Sequence, residues 1–67
     1  MRKIAFIGVG NMAGAIIGGM LRSGAVDHPH LVLSDCFPEK CAAYAAEGAI
    51  VASTPAEAAA QADCVVL

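Results

Sequence analysis

At 67 residues with a formal net charge of −2, the chain is about half of an ordinary domain and has no basic patch. Those two facts exclude a multidomain enzyme within it and a nucleic-acid partner. It is 58% hydrophobic and 15% charged, with 15 Ala and 7 Gly, and its three cysteines lack the clustering of a secreted disulfide scaffold.

The start of the chain has the outline of a signal peptide or membrane helix, because Met1-Arg2-Lys3 precedes 18 uncharged residues from Ile4 to Leu21. Glycines at Gly8, Gly10, Gly14, Gly18 and Gly19 interrupt that run, as does Asn11. A soluble, cytoplasmic chain with no membrane partner is therefore the better reading. Residues 3–7 form a short apolar run ended by glycine, which predicts a buried strand. From Asn11 to about Ser23, apolar residues recur at Met12, Ile16 and Met20 with Ala13, Ile17 and Leu21 beside them, the spacing of a helix face. Gly24 is a natural terminator. Asp27-His28-Pro29-His30 reads as a polar turn. Leu31-Val32-Leu33-Ser34 reads as a second strand with Asp35 at its C-terminal end.

Phe37-Pro38-Glu39 then predicts the start of a second helix, since Pro and an acid both suit a first turn, and the Ala-rich stretch carries it to Glu47 before Gly48. Residues 49–52 form a third strand. Thr54-Pro55-Ala56-Glu57 has capping-box spacing and opens a third helix that runs to about Ala62. Residues 64–67 begin a fourth strand, and the apolar run stops inside it. The expected order is β-α-β-α-β-α-β, an α/β chain with a parallel sheet covered by helices on both faces. Both sides of such strands are buried, which accounts for the unbroken apolar runs.

Gly8-Val9-Gly10-Asn11-Met12-Ala13 fits G-x-G-x-x-G/A and lies directly after the first strand at the opening of the first helix, the context of a Rossmann dinucleotide site. The first glycine permits a tight turn, the second lets backbone approach a pyrophosphate, and Ala13 keeps helix and strand close. Amide groups at the helix N-terminus face the phosphate, aided by roughly half a positive charge from the helix dipole. Inside the helix, Gly14, Gly18 and Gly19 each cost about 1 kcal/mol relative to Ala, and Gly10, Gly14 and Gly18 form a stripe suited to close packing on the sheet. The alternative is glycine tolerated by chance.

Asp35 lies 25 residues after Gly10, against about 20 in the general fingerprint. A carboxylate there accepts from ribose hydroxyls and favours NAD, whereas Ser34 and Lys40 suit the 2′-phosphate of NADP. The alternative for Asp35 is a turn or capping aspartate. His28, His30, Cys36 and Cys41 make only a loose zinc set, and exposed loop histidines with small buried cysteines are the simpler reading. No residue is a credible catalytic acid, base or nucleophile.

The tract Phe6-Ile7-Gly8-Val9-Gly10-Asn11-Met12-Ala13-Gly14-Ala15-Ile16-Ile17-Gly18-Gly19 resembles the N-terminus of pyrroline-5-carboxylate reductases. The similarity extends through Leu33-Ser34-Asp35, Pro38-Glu39-Lys40 and Ala62-Asp63-Cys64-Val65-Val66-Leu67. The resemblance implies that residues 1–67 are the N-terminal part of a Rossmann domain binding NADP or NAD, with its remainder and a helical dimerisation domain lying beyond. It also implies hydride reduction of 1-pyrroline-5-carboxylate to L-proline in a homo-oligomer. Its cofactor contacts map onto Gly8, Val9, Gly10, Asn11, Met12 and Ala13 at the pyrophosphate, and onto Ser34 and Asp35 near the ribose. Related imine or F420-dependent reductases share this nucleotide half, and a non-catalytic dinucleotide-binding module is the alternative from another class.

Overall fold

The computed structural model describes residues 2–67. Four strands, β1 (Ile4–Ile7), β2 (Leu31–Ser34), β3 (Ile50–Val51) and β4 (Cys64–Val66), alternate with three helices, α1 (Asn11–Ser23), α2 (Ala42–Ala46) and α3 (Pro55–Gln61). The strands form one parallel sheet in the order β3-β2-β1-β4. This is a Rossmann-like α/β arrangement, with β1 the strand at which the direction of sheet growth reverses.

Alternation along the strands sends side chains to two separate cores. Phe6, Leu31 and Leu33 pack with Ile17 of α1 and with Cys41, while Tyr44 of α2 joins from the periphery. Ala5 and Val32 point the other way and meet Ala52 and Ala58, the latter from α3. The second core is built largely of alanine, so α3 approaches the sheet closely, and this gives part of the alanine content a packing role.

Local signals explain the helix ends. Gly24 adopts a φ of 80°, and its N–H bonds back to Leu21 and Met20 carbonyls, closing α1. Thr54 Oγ1 accepts from the Glu57 N–H at 3.1 Å, and Glu57 Oε2 accepts from the Ser53 N–H at 3.0 Å, one residue outside the usual reciprocal bond. The second helix departs from expectation. A 3-10 turn spans Pro38–Lys40, and only Ala42–Ala46 are α-helical. Phe37 precedes the turn without any side-chain cap, and the alanines of α2 bury too little apolar surface to extend it. β2 has the expected bounds, but the other strands are shorter than expected: β3 holds two residues, although the Ala52 N–H still donates to the Leu33 carbonyl at 2.8 Å.

The glycine stripe of α1 does not face the sheet. Ala13, Ile17, Met20 and Leu21 occupy that face. A Cβ on Gly14 would meet the Tyr44 hydroxyl at 3.6 Å, and one on Gly18 would meet only the flexible Arg22 head at 3.2 Å. Gly10 and Gly19 would meet nothing within 4 Å. Close helix-on-sheet packing is therefore supplied by Ala13, not by the glycines. No helix among the described residues is long and apolar enough to cross a membrane.

Candidate functional site

The site begins where β1 runs out. Gly8 has φ +91°, which an L side chain rarely adopts, and its N–H donates to the Ser34 carbonyl at 2.7 Å. The chain thus turns sharply while still tied to β2. Val9 buries its side chain in the α1-side core and donates its N–H to Asp35 Oδ2 at 2.5 Å. Gly10 is extended, with φ −96° and ψ −168°, and caps α1 without a side-chain hydrogen bond. The first helical bond runs from the Gly14 N–H to the Gly10 carbonyl at 2.8 Å.

Of the six residues in the turn, the first two therefore have their amides committed internally. The amides of Asn11, Met12 and Ala13 precede the first helical bond and receive no side-chain cap. No acidic residue stands in the first turn of α1, whereas Arg22 compensates its last turn. The positive end of the dipole is left open to an external anion.

Three cavities surround this turn at the carboxyl ends of the strands, the location expected for ligands in open parallel sheets. One of about 340 Å³ is lined by Gly8, Ser34, Asp35, Cys36, Phe37, Lys40, Ser53 and Pro55 with Ile7. A second, of about 330 Å³, lies over the helix start between Val9, Gly10, Asn11, Gly14, Lys40 and Tyr44. The third, of about 420 Å³, is bounded by Phe6, Met12, Ala13, Ile16, Val66 and Leu67 around the same glycines. Ser34 is buried and contributes its carbonyl to the turn and its position to the first cavity. Phe37, Ser53, Pro55 and Tyr44 were not read as cleft residues in the sequence, and Cys36 was considered only for a loose zinc set. The residues directly following β2 and β3 were nonetheless findable, since ligand walls in this fold come from strand C-terminal ends.

Asp35 accepts two backbone bonds, from Val9 and, through Oδ1, from the Phe37 N–H at 2.8 Å. The latter is the turn role weighed for it in the sequence. These bonds, the Val9 one foremost, and then the nearby charge of Lys40 hold its carboxyl below the ordinary value of 3.8. A depressed folded-state pKa means stability present above the ordinary carboxylate pKa and lost as pH falls through the folded value. The melting-temperature difference between wild type and Asp35→Asn is therefore expected to stay constant above about pH 5 and to close under stronger acid. A difference independent of pH would contradict this role for the charge. Comparison with the variant cancels Asp27, whose carboxyl is likewise lowered, by His30.

The remaining titratable groups lie apart from the turn. Asp27 Oδ1 pairs with the His30 ring and accepts from its backbone N–H, and both histidines sit partly buried in a 3-10 turn instead of free in solvent. Among the described residues, no three His, Cys, Asp or Glu side chains converge as a metal-binding group. Cys41 is buried as expected, but Cys36 is exposed, contrary to the expectation of small buried cysteines, and Cys64 is exposed as well. Burial, then the charge of Asp35, pushes the Cys41 thiol up, keeping it a neutral packing group.

An open anion site, a steric vacancy at Gly10 and flanking cavities fit a dinucleotide phosphate. Comparison with known proteins agrees. The family described as NADP oxidoreductase, coenzyme F420-dependent, matches residues 3–67. A pyrroline-5-carboxylate reductase of Pseudomonas aeruginosa is 50% identical over 66 residues, covering 97% of this chain and 24% of that enzyme. Mitochondrial 3-hydroxyisobutyrate dehydrogenases of mouse and rat are 38% and 36% identical over 63 residues, covering 94% of this chain and 18% of theirs. The chain thus spans about a quarter or less of the length of these relatives.

Proposed function

The chain belongs to the NADP oxidoreductase, coenzyme F420-dependent, family, and from that premise we propose that it is the cofactor-binding part of a pyrroline-5-carboxylate reductase. The observation that carries the cofactor role is the uncapped start of α1, where Asn11, Met12 and Ala13 border open cavities beside a side-chain-free Gly10. The choice of reaction is supported by 50% identity to the Pseudomonas aeruginosa reductase, against 38% and 36% to the two dehydrogenases.

In this reading the amides from Gly10 to Ala13 hold the pyrophosphate, while Gly8 and Val9 fix the turn that presents them. Ser34 and Asp35 shape the wall beside the ribose. When bound, NADPH or NADH would supply the hydride that adds to the imine carbon of 1-pyrroline-5-carboxylate, and a proton from water would go to the ring nitrogen, giving L-proline. Residues that bind the imine lie outside this chain, in a larger soluble, cytoplasmic homo-oligomer that uses neither nucleic acid nor membrane as a partner.

The test is turnover by the full-length protein. Loss of the reduced-nicotinamide absorbance with 1-pyrroline-5-carboxylate, and no gain of it with 3-hydroxyisobutyrate and oxidised cofactor, is the expected result. Turnover of the hydroxy acid or of F420 alone would sink the reaction while leaving the cofactor site intact.

A further inference from the structure

Tyr44 of α2 is half-buried, with its ring against the edge of the α1-side core. Its hydroxyl reaches past that core to the first turn of α1, where a Cβ on Gly14 would stand 3.6 Å from the phenolic oxygen. A tyrosine hydroxyl in such a setting usually finds a partner. Among the described residues this one forms no hydrogen bond. Tyr44 instead borders the cavity of about 330 Å³ that it shares with Val9, Gly10, Asn11, Gly14 and Lys40. The phenol is a donor that the fold itself leaves unused, beside the helix start whose amides are also uncommitted.

The floor of that cavity is backbone. Gly10 and Gly14 lie four residues apart on one face of α1, joined by the bond from the Gly14 N–H to the Gly10 carbonyl. With no side chain at either position, the face between the phenol and the start of the helix stays open. Gly14 costs about 1 kcal/mol relative to Ala inside a helix, and the sheet makes no use of it. Lys40, the other cationic or hydroxyl donor on this cavity, rests its ammonium 5.2 Å from the centroid of the Phe37 ring, which lines the neighbouring cavity beside Ser34.

Building on the cofactor role above, we propose that Tyr44 is a further cofactor-binding residue, whose hydroxyl donates to a phosphate oxygen of the dinucleotide seated at the start of α1. The bare Gly10–Gly14 face is the surface across which that oxygen reaches the phenol. The contact is made to the pyrophosphate that all nicotinamide dinucleotides share, so it serves NADPH and NADH alike.

Equilibrium binding to the full-length protein, without substrate, tests this with Tyr44→Phe, which keeps the ring and its packing and removes only the oxygen. The affinities for NADPH, for NADH and for inorganic pyrophosphate, the last measured by competition, should each fall about tenfold, as for one lost hydrogen bond to a charged group. The denaturant midpoint of the unliganded variant should match that of wild type. Affinities within about twofold of wild type, a loss confined to NADPH, a loss absent for pyrophosphate, or a midpoint that falls together with the affinity would overturn the proposal while nucleotide binding itself stands. Failure of wild type to bind either nucleotide would overturn the cofactor role and this proposal with it.

Discussion

Gly10→Val is expected to cost the full-length protein about 100-fold or more in affinity for NADPH, the equivalent of two lost charge-assisted hydrogen bonds, with its unfolding curve almost unmoved. The two halves of that result have separate causes. Gly10 is in ordinary extended backbone, and a Cβ built there meets nothing within 4 Å, so the fold has no objection to a side chain. The same open space lies against the Asn11–Ala13 amides, where a branched side chain would stand in place of the phosphate. Gly8→Ala should show the reverse division. A Cβ at Gly8 also meets nothing, but φ is +91°, so the cost is about 1–3 kcal/mol of stability from strained backbone. Equal effects of both substitutions on binding and on unfolding would mean that the turn acts merely as a connector.

The largest loss of stability should come from Phe6→Ala, at about 3–5 kcal/mol. Phe6 is 1% exposed and lies at the centre of the sheet, paired in register with Leu33 on one side and Val66 on the other. Its ring joins Ile17 of α1, Leu31 and Leu33 of β2, and Cys41. Those neighbours come from three separate segments, so the vacated volume cannot be closed by moving one of them. Denaturant unfolding of the full-length protein should show a lowered midpoint, with Val51→Ala, at an exposed edge position, costing under about 1 kcal/mol. A loss below that level for Phe6→Ala would mean that the α1-side core does not organise the sheet.

The parts legible in the sequence were those decided locally. The α1 boundaries follow from a glycine turn at one end and a left-handed Gly24 at the other, both readable without tertiary information. Thr54 and Glu57 announced α3, although the Glu57 carboxylate reached Ser53, a choice between adjacent amides that spacing does not decide. Where no local device existed the reading failed, as at α2, whose alanine propensity suggested a longer helix than an uncapped start and exposed residues sustain. The stripe at Gly10, Gly14 and Gly18 was correct as a periodicity but misassigned, because periodicity identifies a face without saying what covers it. Asp35 lines a cavity at the end of β2. Its bond to Val9, across 26 positions of sequence, exists only once β1 and β2 are paired.

The central claim is that the amides at the start of α1 receive the cofactor phosphates, and amide NMR of the isotope-labelled full-length protein titrated with NADPH tests it most directly. The largest shifts are expected at Gly10, Asn11, Met12 and Ala13, smaller ones at Gly8 and Val9, whose N–H groups are already bonded, and none on the exposed face of α3. Saturable binding that leaves Gly10 to Ala13 unshifted would contradict it.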